Sequence, residues 1–184
     1  MREADTAPKL DVSIALAAEA DDGDFVATVV DLINQVYADA EKGLWLDGAN
    51  RTGPAEVTAL IRAGELAVAR MGGLLVGTAR VHRLATGEGE FGMLTASPQH
   101  RGLGIGRELV AFAERWARER ALPRMQLELL VPQTWRHPDK EFLRDWYTRM
   151  GYREVRKSRL DEAYPELLPF LATSCDFVVY HKSL

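Results

Sequence analysis

The sequence predicts an α/β (α+β) domain in which a sheet of about seven strands is flanked by about four helices. Three observations lead there. Short runs alternate apolar with polar residues, four longer segments repeat apolar residues at helical spacing, and glycine or proline stands at most of the junctions.

Residues 1–9 read as a disordered leader, which leaves 10–184 as one domain. The first strand is expected over 12–17. Asp22 or Asp24 can then cap a helix whose apolar positions Phe25, Val29, Leu32, Ile33 and Val36 share one face. Segment 41–52 holds Gly43 and Gly48 around Leu44, Trp45 and Leu46, so it reads as a loop with an apolar anchor. Pro54 opens a short helix that ends by Gly64. Runs 65–70 and 74–82 form a hairpin across Met71, Gly72 and Gly73, and after a turn at 86–89 comes a strand over 90–96. The next helix carries Ile105, Leu109, Phe112, Ala113 and Trp116 at helical spacing and ends near Arg120. A strand over 125–131, a helix over 139–150 stopped by Gly151 and a strand over 152–157 follow. After a proline-containing crossing over 161–173, residues 177–181 close the sheet.

Bulk properties fit a domain able to bury a full core. The chain has 184 residues, 47% hydrophobic and 27% charged, with a formal net charge of −4. That balance, without a run of lysine and arginine, argues against nucleic acid as a partner. Cys175 is the only cysteine, so an intrachain disulfide is excluded and a reducing compartment is expected. No apolar run approaches the roughly 18 residues of a membrane span, and the first ten residues lack the core of a signal peptide. A cytoplasmic protein without membrane partners is expected, as a monomer or homodimer. His, Cys and Asp show no metal-site spacing.

The segment QHRGLGIG, 99–106, follows a strand and runs into a helix. Gly102, Gly104 and Gly106 clear every second side chain, so an anion can reach the backbone amides, and Arg101 and Arg107 flank the turn. This is a diphosphate-binding pattern. A dinucleotide fingerprint needs GxGxxG, but here the third glycine falls one place early, and no Gly-Lys-Ser/Thr closes a nucleotide-triphosphate loop. A third phosphate carrier is indicated. The alternative is a turn that only lets a helix pack closely on a sheet.

Segment 93–117, MLTASPQHRGLGIGRELVAFAERWA, resembles the acetyl-coenzyme A motif of the GNAT (GCN5-related) N-acetyltransferases, Gln/Arg-x-x-Gly-x-Gly/Ala, through Gln99, Gly102 and Gly104. A second block at 141–155, EFLRDWYTRMGYREV, resembles that family's later aromatic motif, and 64–81 resembles its central hairpin. The resemblance implies a mixed, mostly antiparallel twisted sheet with a splayed parallel strand pair, and acetyl-CoA as cofactor. It also implies that the cofactor is held by Leu94, Thr95 and Ala96 on the strand and by Gln99, His100, Arg101, Gly102, Leu103, Gly104, Ile105, Gly106 and Arg107 of the loop. Tyr147 matches the tyrosine that protonates the departing thiolate. Lys140 departs from the family, which often has asparagine there.

Acetyl transfer to an amine needs a base for the nitrogen's proton and a preorganised donor for the oxyanion. By motif position Ala96 supplies that backbone donor. Glu90 is the first candidate base, six residues earlier on the same strand, where strict alternation sets 90, 92, 94 and 96 on one face. Glu128 is the second candidate. Trp45, Asp47 and Arg51, the insertion 131–140 with Trp135, and the crossing 161–173 are the expected acceptor walls, with room for a small-molecule amine or a peptide. A catalytically silent acetyl-CoA sensor is the alternative.

Overall fold

Strand alternation sets up the layers: in LAVARM, Leu66 and Val68 point to one side of the sheet while Ala67 and Ala69 point to the other, all four fully buried. A strand apolar on both faces must be covered on both. The computed structural model describes residues 9–184, and it shows this covering. Its strands are β1 (Leu10–Ile14), β2 (Leu66–Met71), β3 (Leu74–Arg83), β4 (Gly89–Ala96), β5 (Arg124–Pro132), β6 (Arg153–Arg159) and β7 (Cys175–Ser183). They form one sheet in the order β1-β2-β3-β4-β5-β7-β6, antiparallel throughout except for the parallel pair β4 and β5.

The helices are α1 (Gly23–Ala40), α2 (Pro54–Arg62), α3 (Ile105–Glu119), α4 (Pro138–Arg149) and the single turn α5 (Leu160–Ala163). Helices α1 and α2 bury Val26, Val29, Ile33, Val57, Leu60 and Ile61 against one face. On the other face α3 sets Ile105, Leu109, Val110, Ala113 and Ala117 into the core, and α4 adds Tyr147. Local chemistry fixes the ends. The Asp22 carboxylate accepts from the Asp24 and Phe25 amides at 3.1 and 3.0 Å, and the His137 imidazole accepts from the Asp139 amide at 3.2 Å ahead of Pro138. Gly151, at φ +97°, stops α4.

Close packing places α3. A Cβ on Gly77 of β3 would lie 2.6 Å from Ile105 Cγ2 and 2.7 Å from the Thr95 carbonyl oxygen, so the first turn of α3 rests where only a hydrogen fits.

Two expectations are corrected. Strand β1 begins at Leu10 and ends at Ile14 instead of covering 12–17, because the Glu19 carboxylate accepts from the Leu16 amide at 2.8 Å and draws the chain into a 3-10 turn over Ala17–Asp21. The crossing after β6 holds the single turn α5 and a 3-10 turn at Pro165–Phe170. Of the expected leader 1–9, all but Lys9 lies outside the described residues. The second correction bears on chemistry. Met93 adopts φ +49°, and the β3/β4 register slips between Thr78 and Arg80. Past this bulge the alternation reverses, so Leu94 and Ala96 pack on the α3/α4 side with Phe91, while Met93 belongs to the α1/α2 side. Residues 90, 92, 94 and 96 therefore do not share a face, and Glu90, next to Phe91, points to the α1/α2 side.

Candidate active site

The glycine turn carries a row of unanswered donors. Gly102 and Gly104 sit at φ +81° and +76°, the left-handed conformation that side chains resist, and Gly104 is the N-cap of α3. None of the backbone N–H groups from Arg101 to Arg107 has an acceptor among the described residues; the first α3 bond runs from Glu108 N to Gly104 O. Seven such donors ending at the positive pole of a 15-residue helix make an anion cradle. Ser97 steadies the entry by donating to Gln99 Oε1 at 2.8 Å, with His100 Nδ1 at 3.1 Å. Arg101 and Arg107 stand exposed beside it.

The parallel ladder between β4 and β5 consists of two pairs, Gly89 with Met125 and Glu90 with Gln126, after which the strands part. Strand β5 continues along β7, and β4 along β3, so residues 91–96 of β4 have no strand on their β5 side. Their free backbone groups line a wedge with Glu90 at its closed end.

Glu90 Oε2 accepts from Gln126 Nε2 at 2.7 Å. Burial pushes its carboxyl up to about 6, against the pull of that hydrogen bond and with a push from the Glu128 charge. His82 Nε2 lies 3.6 Å from Glu90 Oε1, yet burial and Arg80 lower the imidazole below its ordinary value, so at neutral pH this contact is not an ion pair. Because a carboxylate only accepts, the Gln126 amide faces it with its nitrogen. Its oxygen is left to accept from His181 Nε2 at 2.8 Å. Glu128, two residues along β5 from Gln126, accepts from the Tyr164 hydroxyl at 2.7 Å.

Tyr147 rises from α4 into the core, 5% exposed, its ring 6.0 Å from those of Phe91 and Tyr152 and 4.9 Å from that of Trp146. Its hydroxyl has no hydrogen-bond partner among the described residues, and burial raises its pKa far above that of free tyrosine. It stays a protonated donor.

The outer walls are less uniform. Trp45 donates to Glu41 Oε2 at 2.6 Å, and Lys140 Nζ reaches Glu41 Oε1 at 2.5 Å with both charges buried. Trp45 also pairs with Leu171, so it ties the 41–52 loop to the crossing segment. Asp47 is exposed, as is Trp135, which donates to Thr173 Oγ1 at 3.4 Å and stacks on His137. Among the described residues no group of three or more His, Cys, Asp or Glu is placed to hold a metal, and no helix is long and apolar enough to cross a membrane.

A model of the acetyltransferase (GNAT) family matches residues 30–152, from α1 through the cradle and the strand wedge to Tyr147. The chain belongs to the GNAT family. Among solved structures it is similar to the ribosomal-protein-alanine N-acetyltransferase of Brucella melitensis, with TM-score 0.66, 16% identity and coverage of 95% of this chain and 99% of that one. It is also similar to the N-acetylglutamate synthase of Neisseria gonorrhoeae, complexed with coenzyme A and N-acetyl-glutamate, with TM-score 0.63, 18% identity and coverage of 100% and 36%. A Bacillus anthracis protein assigned as a streptothricin acetyltransferase, in complex with acetyl coenzyme A, aligns with TM-score 0.52, 18% identity and coverage of 65% and 61%. This GNAT chain thus spans less than two thirds of the last two, and at such identities the likeness is one of fold. No match was found among curated proteins.

Of the residues singled out from the sequence of this GNAT protein, the loop 99–107 forms one cradle, Leu94 to Ala96 line the wedge, and Glu90 and Glu128 stand on the same face of adjacent strands. Trp45 is tied inward, whereas Asp47 and Trp135 lie outside. Gln126, His82 and Tyr164, which touch or face these carboxylates, were not singled out. Alternation pointed to Gln126, because it shares the face of Glu128, but nothing local pointed to Tyr164, which arrives from 36 residues away.

Proposed function

We propose that this protein is an acetyl-CoA-dependent N-acetyltransferase that moves the acetyl group to a primary amine by direct attack in a ternary complex. The observation that carries the proposal is the joining of two features: seven unpaired amides at 101–107, and a strand wedge closed by a carboxyl poised near 6. The cradle fits a diphosphate, and the free edge of β4 fits the amide-bearing pantetheine arm of the same molecule, which supplies the activated acetyl group.

Glu90 takes the proton of the acceptor ammonium, directly or through a water; at pH 7 it is mostly ionised while retaining enough basicity for the task. Gln126 holds the carboxylate in place without neutralising it. A backbone N–H on the free edge of β4, by motif position that of Ala96, receives the developing oxyanion. The Tyr147 hydroxyl, protonated and unpaired, gives its proton to the leaving sulfur. The acceptor approaches from the α1/α2 side, where Glu90 and Glu128 present two carboxylates to a cationic small molecule or peptide amine. We place the protein in the cytoplasm on the strength of its lone cysteine, acting as a monomer or homodimer.

A thermal-shift titration with acetyl-CoA, followed by a screen of amines for thiol release, tests the reading. Ligand at 100 times its dissociation constant adds about 2.7 kcal/mol of stability. Absence of any shift defeats the cofactor assignment, and tight binding without turnover of any amine makes the protein an acetyl-CoA sensor instead.

A further inference from the structure

Glycine inside a strand needs a reason, because it gives up more backbone entropy than any other residue and packs nothing in return. Among the described strands three positions carry it, Gly77 on β3 and Gly89 and Gly92 on β4. Two have their reason in the packing. A Cβ on Gly77 would press into Ile105 and the Thr95 carbonyl, and one on Gly89 would come within 3.2 Å of Ala117 Cβ and 3.3 Å of Leu122 and Met125. Gly92 has no such reason. Beyond its chain neighbours no atom lies within 4 Å of where its Cβ would be, and its φ is not left-handed. The bulge beside it does not require it either, since the left-handed residue there is Met93 at φ +49°. What β4 leaves free at residue 92 is space.

That space adjoins the reacting groups. By alternation Gly92 shares the α1/α2 face of β4 with Glu90, which precedes it by two residues and lies with it ahead of the bulge. On its β3 side its register partner is Arg80, whose guanidinium is held by Glu65 Oε2 at 2.9 Å from Nε and 2.8 Å from a second nitrogen. On its β5 side the ladder has already ended at Glu90 and Gln126, so the residue that comes opposite is Glu128, two places further along β5. Tyr164 occupies one Glu128 oxygen at 2.7 Å. Gly92 is thus a bare floor between two carboxylates.

An acceptor nitrogen has to meet a thioester lying along 91–96 while passing a proton to Glu90, and this sets the carbon that carries it over the strand just past Glu90. Gly92 is the residue beneath. A straight-chain amine presents only a CH₂ there and needs little room, whereas a branched carbon brings a second substituent that a side chain at 92 would displace. We infer that Gly92 is a specificity-determining position whose missing side chain receives the substituted carbon of the acceptor, so that the preferred acceptors are primary amines borne on a branched carbon. The inference rests on the N-acetyltransferase reading above and narrows the acceptor class within it.

Initial rates of thiol release at saturating acetyl-CoA test it, with isomeric pairs of primary amines, one straight and one branched at the carbon next to nitrogen, on the wild type and on Gly92→Ala. The wild type is expected to turn over the branched member of each pair at least as well as the straight one. In Gly92→Ala, kcat/KM for branched amines is expected to fall about 10–200-fold, the range for one methylene too many in a pocket, while straight amines stay within about threefold. Coenzyme affinity by calorimetry is expected to stay within about twofold. The variant is expected to melt no lower than wild type, because alanine fits this backbone and restricts the unfolded chain. Equal loss for both members, no loss for either, or a wild-type preference for straight amines overturns the inference. So does a lower melting point, which makes Gly92 structural, or weakened coenzyme binding, which gives the space to the coenzyme. Those results leave the wild type an N-acetyltransferase; turnover of no amine by the wild type removes that reading and this inference together.

Discussion

Replacing Glu90 with glutamine separates two consequences of one buried carboxyl. The glutamine keeps the shape and can still accept from Gln126, so the hydrogen bond at 2.7 Å survives. The charge does not. Raising the carboxyl from 4.5 to about 6 means that ionising it costs the folded state about 2 kcal/mol relative to the unfolded chain. The sign follows from the direction of the shift: the wild type has its full stability below about pH 4.5 and loses this contribution as pH rises through 6. Glu90→Gln is therefore expected to melt about 4–8 °C higher than wild type near pH 8, with the gap closing toward pH 4. Catalysis moves the other way. Without the base, kcat/KM falls by about 10²–10⁴, and the wild-type rise of kcat/KM with pH around 6 disappears. Melting curves at several pH values and initial rates of thiol release measure the two effects. If turnover is unchanged, Glu90 is not the base; if the variant is no more stable near pH 8, burial does not hold the carboxyl up.

Three further outcomes are expected. Tyr147→Phe removes a hydroxyl that has no partner among the described residues, so stability stays within about 0.5 kcal/mol while kcat falls by about 10² or more and coenzyme affinity holds; fluorescence titration and rates check this. Gly104→Ala meets no atom within 4 Å but forces a side chain into φ +76°, costing about 1–2 kcal/mol and weakening coenzyme binding about tenfold as the amides turn away, as measured by calorimetry. Lys140→Met strands the buried Glu41 carboxylate and is expected to cost about 3–5 kcal/mol in urea unfolding, whereas adding Glu41→Leu recovers much of it.

Periodicity placed the strands and long helices because each has to hide an apolar face, and it named the cradle because glycine at 102 and 104 leaves the backbone few other uses. The bulge at Met93 escaped it. Gly92 stands beside that position, yet the left-handed residue is the methionine, and tertiary packing on both faces decides the matter. One misplaced alternation sent Glu90 to the wrong partners. Likewise the ion pair of Lys140 with Glu41 spans 99 residues, and a contact of that range has no local pattern to betray it.

The bare position at residue 77 ties the mouth of the anion cradle to the middle of the sheet. A methyl group there would lift Ile105 and carry the neighbouring amides with it, though Gly77 itself offers a ligand no side-chain atom. In a survey of variants scored by cofactor retention, this glycine will rank beside those of the loop. A damaging change there is to be read as a dislodged support, with the grip itself chemically untouched.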